Sequence, residues 1–205
     1  MIILCRSVKG GSGTTVTAAA LALLLAPRHR GGGHLVDLQG DQPAALGIPE
    51  PDGSTMREVT SALQLLPRSM TTSATDTQWL SLATELSSLS GPVVVDLGTL
   101  QPGKQLLDIA DASYLVIRPC YLALRRATAM LGNHKDEFDG VILIDEPGRA
   151  LTANDVATVL RLPVVARIGL DPAVSRSVDA GLLANRVPKC IDDAFADLIS
   201  GFSQR

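Results

Sequence analysis

Lys9-Gly10-Gly11-Ser12-Gly13-Thr14-Thr15 is the stretch on which the reading of this chain turns. It follows an apolar run, Ile2–Ser7, and opens the segment Thr14–Ala26, which is rich in Ala and Leu on nearly all sides. A strand, a glycine loop and a buried helix in that order form an anion trap. The first amides of a helix lack intrahelical acceptors and carry partial positive charge, so they attract phosphate. Glycines let the backbone curl closely around the anion. The general pattern G-x-x-x-x-G-K-[ST] fails at two places, because Val8 replaces its first glycine and Thr14 its lysine. The competing reading is an ordinary Gly-rich turn with a solvated lysine. The order of the elements favours the phosphate loop.

Outward from the loop, further apolar runs occur at His34–Leu38, Pro92–Leu97, Ser113–Arg118, Gly140–Asp145 and Val164–Ile168. Helix-like stretches lie between them, among them Leu122–Leu131 and Asn154–Leu160. Strands alternating with helices predict right-handed crossovers and an α/β fold, a parallel sheet with helices on both faces. The 205 residues are 46% apolar but only 3% aromatic, so the core must be aliphatic. This length suits one domain over 1–205. Segment 49–77, rich in Pro, Gly, Ser and Thr, is expected to be a mobile excursion around one short amphipathic helix, Thr55–Leu66. Ile191, Phe195, Leu198, Ile199 and Phe202 recur at helical spacing near the end of the chain. The polar face of that helix carries Asp192, Asp193 and Asp197, whereas membrane-surface helices favour Lys and Arg. It is expected to pack on its own domain.

A net charge of −3, from 18 basic and 21 acidic residues, argues against a surface coated for nucleic acid. Cys5, Cys120 and Cys190 have no paired spacing and suit a reduced, cytoplasmic protein, with Cys5 packed in the core. The run Ala18–Ala26 is too short to span a bilayer, and no signal peptide is expected. His29, His34 and His134 form no ligand-like cluster. The loop also lacks the G-x-G-x-x-G spacing of dinucleotide-dependent oxidoreductases.

The loop resembles the deviant K-G-G-x-G-K-[ST] sequence of the ParA/MinD superfamily of P-loop ATPases. It is most similar to the CpaE/TadZ branch, which positions pilus-assembly machinery and in which the usual lysine is commonly absent. The resemblance runs from Met1 to about Leu183, and its closing part is Asp171-Pro172-Ala173-Val174-Ser175-Arg176-Ser177-Val178-Asp179-Ala180-Gly181. It implies binding of ATP with Mg²⁺. Lys9 is then the signature lysine, which in the family contacts the nucleotide of the partner subunit in a sandwich dimer. The stretch Gly10, Gly11, Ser12, Gly13, Thr14, Thr15 and Val16 is then the nucleotide-binding loop, with backbone amides on the phosphates and the Thr15 hydroxyl on Mg²⁺. Pro92–Thr99 resembles the Walker B segment, so Asp96 holds the metal shell; a strand-end Asp before a Gly turn is the alternative. Leu35–Asp41 resembles D-L-D-L-Q-F-G-D shortened by about two residues. Asp37 fits its first aspartate, and the second, which positions water, falls on Gln39 or, with another gap, on Asp37. Asp37 as a plain turn cap remains open. Asp145 occupies the position that usually offers Asn to the adenine edge.

The implied function is a nucleotide-dependent positioning switch. The homodimer forms through the nucleotide face and localises an unidentified protein partner, with pilus or secretion machinery as the branch-level expectation. Loss of the lysine implies slow or absent ATP hydrolysis. Two alternatives stand beside it: a nucleotide-free scaffold, and a partition ATPase that binds DNA non-specifically through residues such as Arg125 and Arg126.

Overall fold

In the first strand, β1 (Ile2–Arg6), Ile3 and Cys5 face one layer of helices while Ile2 and Leu4 face the other. The same alternation builds the whole molecule, a computed structural model of which describes residues 1–202. After β1 come α1 (Thr14–Leu25), β2 (Gly33–Asp37), α2 (Gln42–Leu46), β3 (Arg57–Thr60), β4 (Leu63–Pro67) and α3 (Asp76–Ser87). The second half holds β5 (Val93–Gly98), α4 (Lys104–Leu107), β6 (Ala112–Ile117), α5 (Tyr121–His134), β7 (Gly140–Asp145), α6 (Ala153–Leu160), β8 (Val164–Gly169), α7 (Pro172–Asp179) and α8 (Lys189–Phe202). The strands form one sheet in the order β3-β4-β2-β5-β1-β6-β7-β8. Each neighbouring pair is parallel except β3–β4. The expected α/β architecture with helices on both faces is therefore present.

On one face, α1 crosses β5, β1 and β2 and is itself covered by α2 and α8. That second cover explains why α1 is apolar nearly all round: Ala18, Ala19, Ala20 and Leu21 have no solvent exposure. Ile191, Phe195 and Ile199 of α8 belong to the same core as α1 and as Ile142 and Ile168 of the sheet, so the last helix packs on its own sheet as expected. Cys5 lies in this core too, and burial pushes its thiol far up from the ordinary value. The opposite face has two clusters. One joins β5 and β2 to Trp79, Leu82 and Leu86 of α3, and the other joins β6 and β7 to α5 and α6.

Segment 49–77 departs from its expected form. The short helix over Thr55–Leu66 is replaced by the hairpin β3–β4. β4 pairs with β2 along its length, from Gly33–Leu63 to Asp37–Pro67. Leu63 and Leu65 thereby enter the α1 face and Leu66 the other. The Thr60 hydroxyl oxygen accepts from the amides of Ala62 and Leu63, at 3.2 and 3.1 Å, which fixes the turn. Pairing with an open sheet edge thus prevails over a weak helical period.

Sequential strands run outward from β1 in both directions, to β2 on one side and to β6, β7 and β8 on the other. The crevice at such a switch point, outside the carboxyl ends of the strands, is where open α/β sheets place ligands.

Candidate functional site

The glycine loop occupies that crevice. Gly11 and Gly13 adopt φ of 71° and 89°, left-handed values that side chains disfavour, and Gly13 is the N-cap of α1. No side chain caps α1. By contrast, Thr75 and Gln78 box the start of α3, Thr152 and Asp155 box α6, and Asp171 caps α7. The loop is anchored from behind. The Ser7 amide donates to the Gly98 carbonyl at 2.7 Å, and the Ser7 hydroxyl lies 3.0 Å from the Lys9 carbonyl and 3.1 Å from that of Gly98. The Ser12 hydroxyl donates to the Lys9 carbonyl at 2.9 Å. The loop's hydroxyls therefore hold its shape, and the amides at the mouth of α1 face outward without a side-chain acceptor.

Asp96 lies in the second half of β5 and has no solvent exposure. Its Oδ1 accepts from the Gly98 amide at 3.0 Å and its Oδ2 from Gln42 Nε2 at 2.8 Å, and the Thr15 hydroxyl donates to it as well. Burial raises the Asp96 pKa to about 6, against the lowering effect of these donors. Such a carboxylate is short of positive charge. Thr15 and Asp96 are in contact at the foot of the loop, a donor set that suits a hard cation completed by phosphate oxygens. Among the described residues no group of three His, Cys, Asp or Glu forms a metal site on its own.

Asp37 is 2% exposed and fully engaged. Its Oδ1 accepts from the amides of Gln39 and Gly40, at 3.0 and 2.8 Å, and its Oδ2 from that of Gln42 at 2.9 Å. It shapes the turn after β2. Gln39 and Asp41 are the members of that turn that face the crevice. Gln42 has no exposure and bridges the Thr15 carbonyl, at 3.0 Å, to Asp96.

Two adjoining chambers open here. A polar chamber of ≈ 700 Å³ is lined by Gly10 to Val16 together with Ser7, Gln39, Asp41, Gly98 and Arg118. An apolar slot of ≈ 200 Å³ lies beside it, between Val16, Ile144, Ile168, Leu170 and Val174. Gly13, Val16, Arg118, Val178 and Asp179 border both. An apolar slot joined to an amide-lined polar mouth is the shape that takes a base and its phosphates.

Most of the residues anticipated from sequence are brought together, with three exceptions, the first being Asp37, whose carboxylate turns back onto the amides of its own turn and does not line the chamber. Asp145 does not line the slot. Its Oδ2 accepts from Arg167 Nη2 at 2.5 Å, and Ile144 forms the wall instead. Lys9 Nζ turns back onto the Gly10 carbonyl at 3.0 Å and does not line the chamber. Gln42 and Arg118 were not singled out. The signal for Arg118 was its position at the carboxyl end of an apolar strand beside the loop strand. Gln42, between Asp41 and Pro43, carries no comparable mark.

No protein-family model and no curated protein sequence matches the chain. Solved structures do resemble it. A ParA family ATPase from Chlorobium tepidum TLS aligns with a TM-score of 0.78 at 20% identity, over 97% of this chain and 96% of that one. The MinC:MinD cell division protein complex of Aquifex aeolicus gives 0.75 at 18% identity, over 100% of this chain and 96% of that one. The septum site-determining protein MinD of Pyrococcus horikoshii OT3, complexed with Mg-ADP, gives 0.75 at 18% identity, covering 98% and 95%. The chain has the ParA/MinD P-loop fold.

Proposed function

We propose that this ParA/MinD-type fold serves as a nucleotide-dependent positioning switch. It binds ATP with Mg²⁺, pairs with a second copy across the nucleotide face, and so localises a partner assembly. The observation behind this reading is the uncapped mouth of α1, which opens on a polar chamber continuous with an apolar slot. In this reading the amides of Gly10 to Val16 hold phosphate oxygens and the slot takes the base. Thr15 and Asp96 hold Mg²⁺, which supplies charge neutralisation to the phosphates when bound. Lys9 extends to the nucleotide of the second copy. The Mg-ADP complex of the Pyrococcus protein and the protein partner of the Aquifex one support the ligand and the existence of a partner. The CpaE/TadZ-like branch, with a pilus or secretion partner, rests on the loop sequence with Thr14 in place of lysine.

Hydrolysis is slow or absent in this account. Asp37 spends both oxygens on backbone amides, and Gln39 can orient water but cannot take its proton. That leaves Asp41, on the exposed rim, and Asp179 of α7 as the carboxylates on the chamber wall. A missing charged hydrogen bond costs about 1.5–3 kcal/mol, or roughly 10- to 150-fold in affinity, so the loop alone binds nucleotide weakly unless dimerisation and Lys9 offset the loss. A nucleotide-free scaffold is the second reading, and Gln42 favours it, because its amide already occupies Asp96 and the Thr15 carbonyl. Calorimetry with ATP and Mg²⁺, paired with light scattering, separates the two. The switch predicts saturable binding and a doubling of mass on adding ATP. No heat of binding and an unchanged mass leave the scaffold.

A further inference from the structure

Thr14 stands where a phosphate loop ordinarily carries its lysine, and its buried side chain brings no charge. The two chambers are nevertheless lined by one cation among the described residues, Arg118. It directly follows β6, which runs parallel to β1 with Leu115 opposite Arg6, and this register carries Arg118 to the level of the glycine loop. Its surroundings differ from those of the other inward arginine. Arg6 donates to Gln101 at 2.8 Å, pairs with Glu137 at 3.1 Å and lies over the Phe138 ring. Arg118 joins none of the ion pairs among the described residues, and its Nε is buried without a hydrogen-bond partner. A half-buried guanidinium without a partner is costly unless an anion arrives. The other charged side chains on the walls are carboxylates: Asp41, Asp171 and Asp179. Without Arg118, the charged side chains that a phosphate chain meets on the walls are carboxylates alone.

We propose that Arg118 supplies, from the neighbouring strand of the same chain, the phosphate-gripping charge that Thr14 does not. It acts where the two chambers meet, on the phosphoryl groups nearest the base. The guanidinium is permanently charged and presents a planar fork that fits two phosphoryl oxygens. This inference rests on the nucleotide reading above.

The test is calorimetry on the full chain with ADP and with adenosine, each with Mg²⁺. The proteins are the wild type, Arg118→Met, Arg118→Lys and the double variant Arg118→Met/Thr14→Lys. Arg118→Met is expected to weaken ADP about 10- to 100-fold while adenosine changes by less than about threefold. Thr14→Lys is expected to restore most of the ADP affinity in the double variant, a coupling between the two positions. If Arg118→Met fails to fold, Arg118→Lys carries the test, with a several-fold loss on ADP and none on adenosine. Unchanged ADP affinity in the arginine variants, or equal losses on ADP and adenosine, overturns the inference and leaves the nucleotide reading standing. A wild type that binds neither ligand overturns both.

Discussion

At the scale of single residues the site is governed by one buried carboxylate and what neutralises it. Asp96 has its pKa raised to about 6 because burial outweighs its three donors. The sign of the consequence is set by proton uptake. Between about pH 4 and 6 the unfolded chain gives up this proton and the folded chain keeps it, so stability falls as pH rises. The loss is complete above about pH 6 and amounts to something on the order of 3 kcal/mol. Asp96→Asn should remove this part of the profile: urea unfolding at pH 4 and pH 7.5 should show a smaller drop in stability for the variant than for the wild type. Identical drops would show that Asp96 is not strained by burial. The pattern of apolar strand, acid and glycine at Val93–Gly98 made Asp96 legible in the sequence. The duty of Asp37 was not, since an acid ending a strand looks the same whether it faces a ligand or folds back on three amides. Gln42 and Arg6 were illegible for a related reason. Their partners, Asp96 and Glu137, are 54 and 131 positions away in the chain, and only the fold brings them together.

At the scale of elements, the central strands β1, β2, β5, β6 and β7 and α1 were readable because nearly all of their residues are buried, and continuous apolar runs announce that. β3 and β4 were not. They form the edge of the sheet, where β3 is half-exposed, and the apolar residues of Thr55–Leu66 fit a helix as well as a strand until β2 offers its free edge. The junction of α2 with α7 is a second feature that only the structure exposes. Gly47 caps α2 at φ 71°, and a Cβ there would lie 2.1 Å from the Gly181 carbonyl oxygen at the end of α7. Backbone cannot yield as a flexible side chain can. Gly47→Ala should therefore cost about 2–4 kcal/mol, read as a lower urea midpoint. Because α7 brings Val178 and Asp179 to both chambers, the same variant should also weaken nucleotide binding. A variant as stable as the wild type would mean that the two helices pack less closely than described.

At the scale of the molecule, one sheet carries two faces of helices and gathers the carboxyl ends of β1, β2, β5 and β6 around a single crevice. Everything proposed for function depends on the loop at that crevice holding phosphate through its backbone. No described helix is long and apolar enough to cross a membrane. The most direct measurement is a titration of the ¹⁵N-labelled chain with Mg-ADP, followed by amide resonances. The account predicts that the largest shifts fall on Gly10 to Val16 and saturate together, with smaller ones at Ile144 and Val174 in the slot. Amides of Gly10 to Val16 that stay in place at millimolar nucleotide, or shifts confined to another surface, would contradict it.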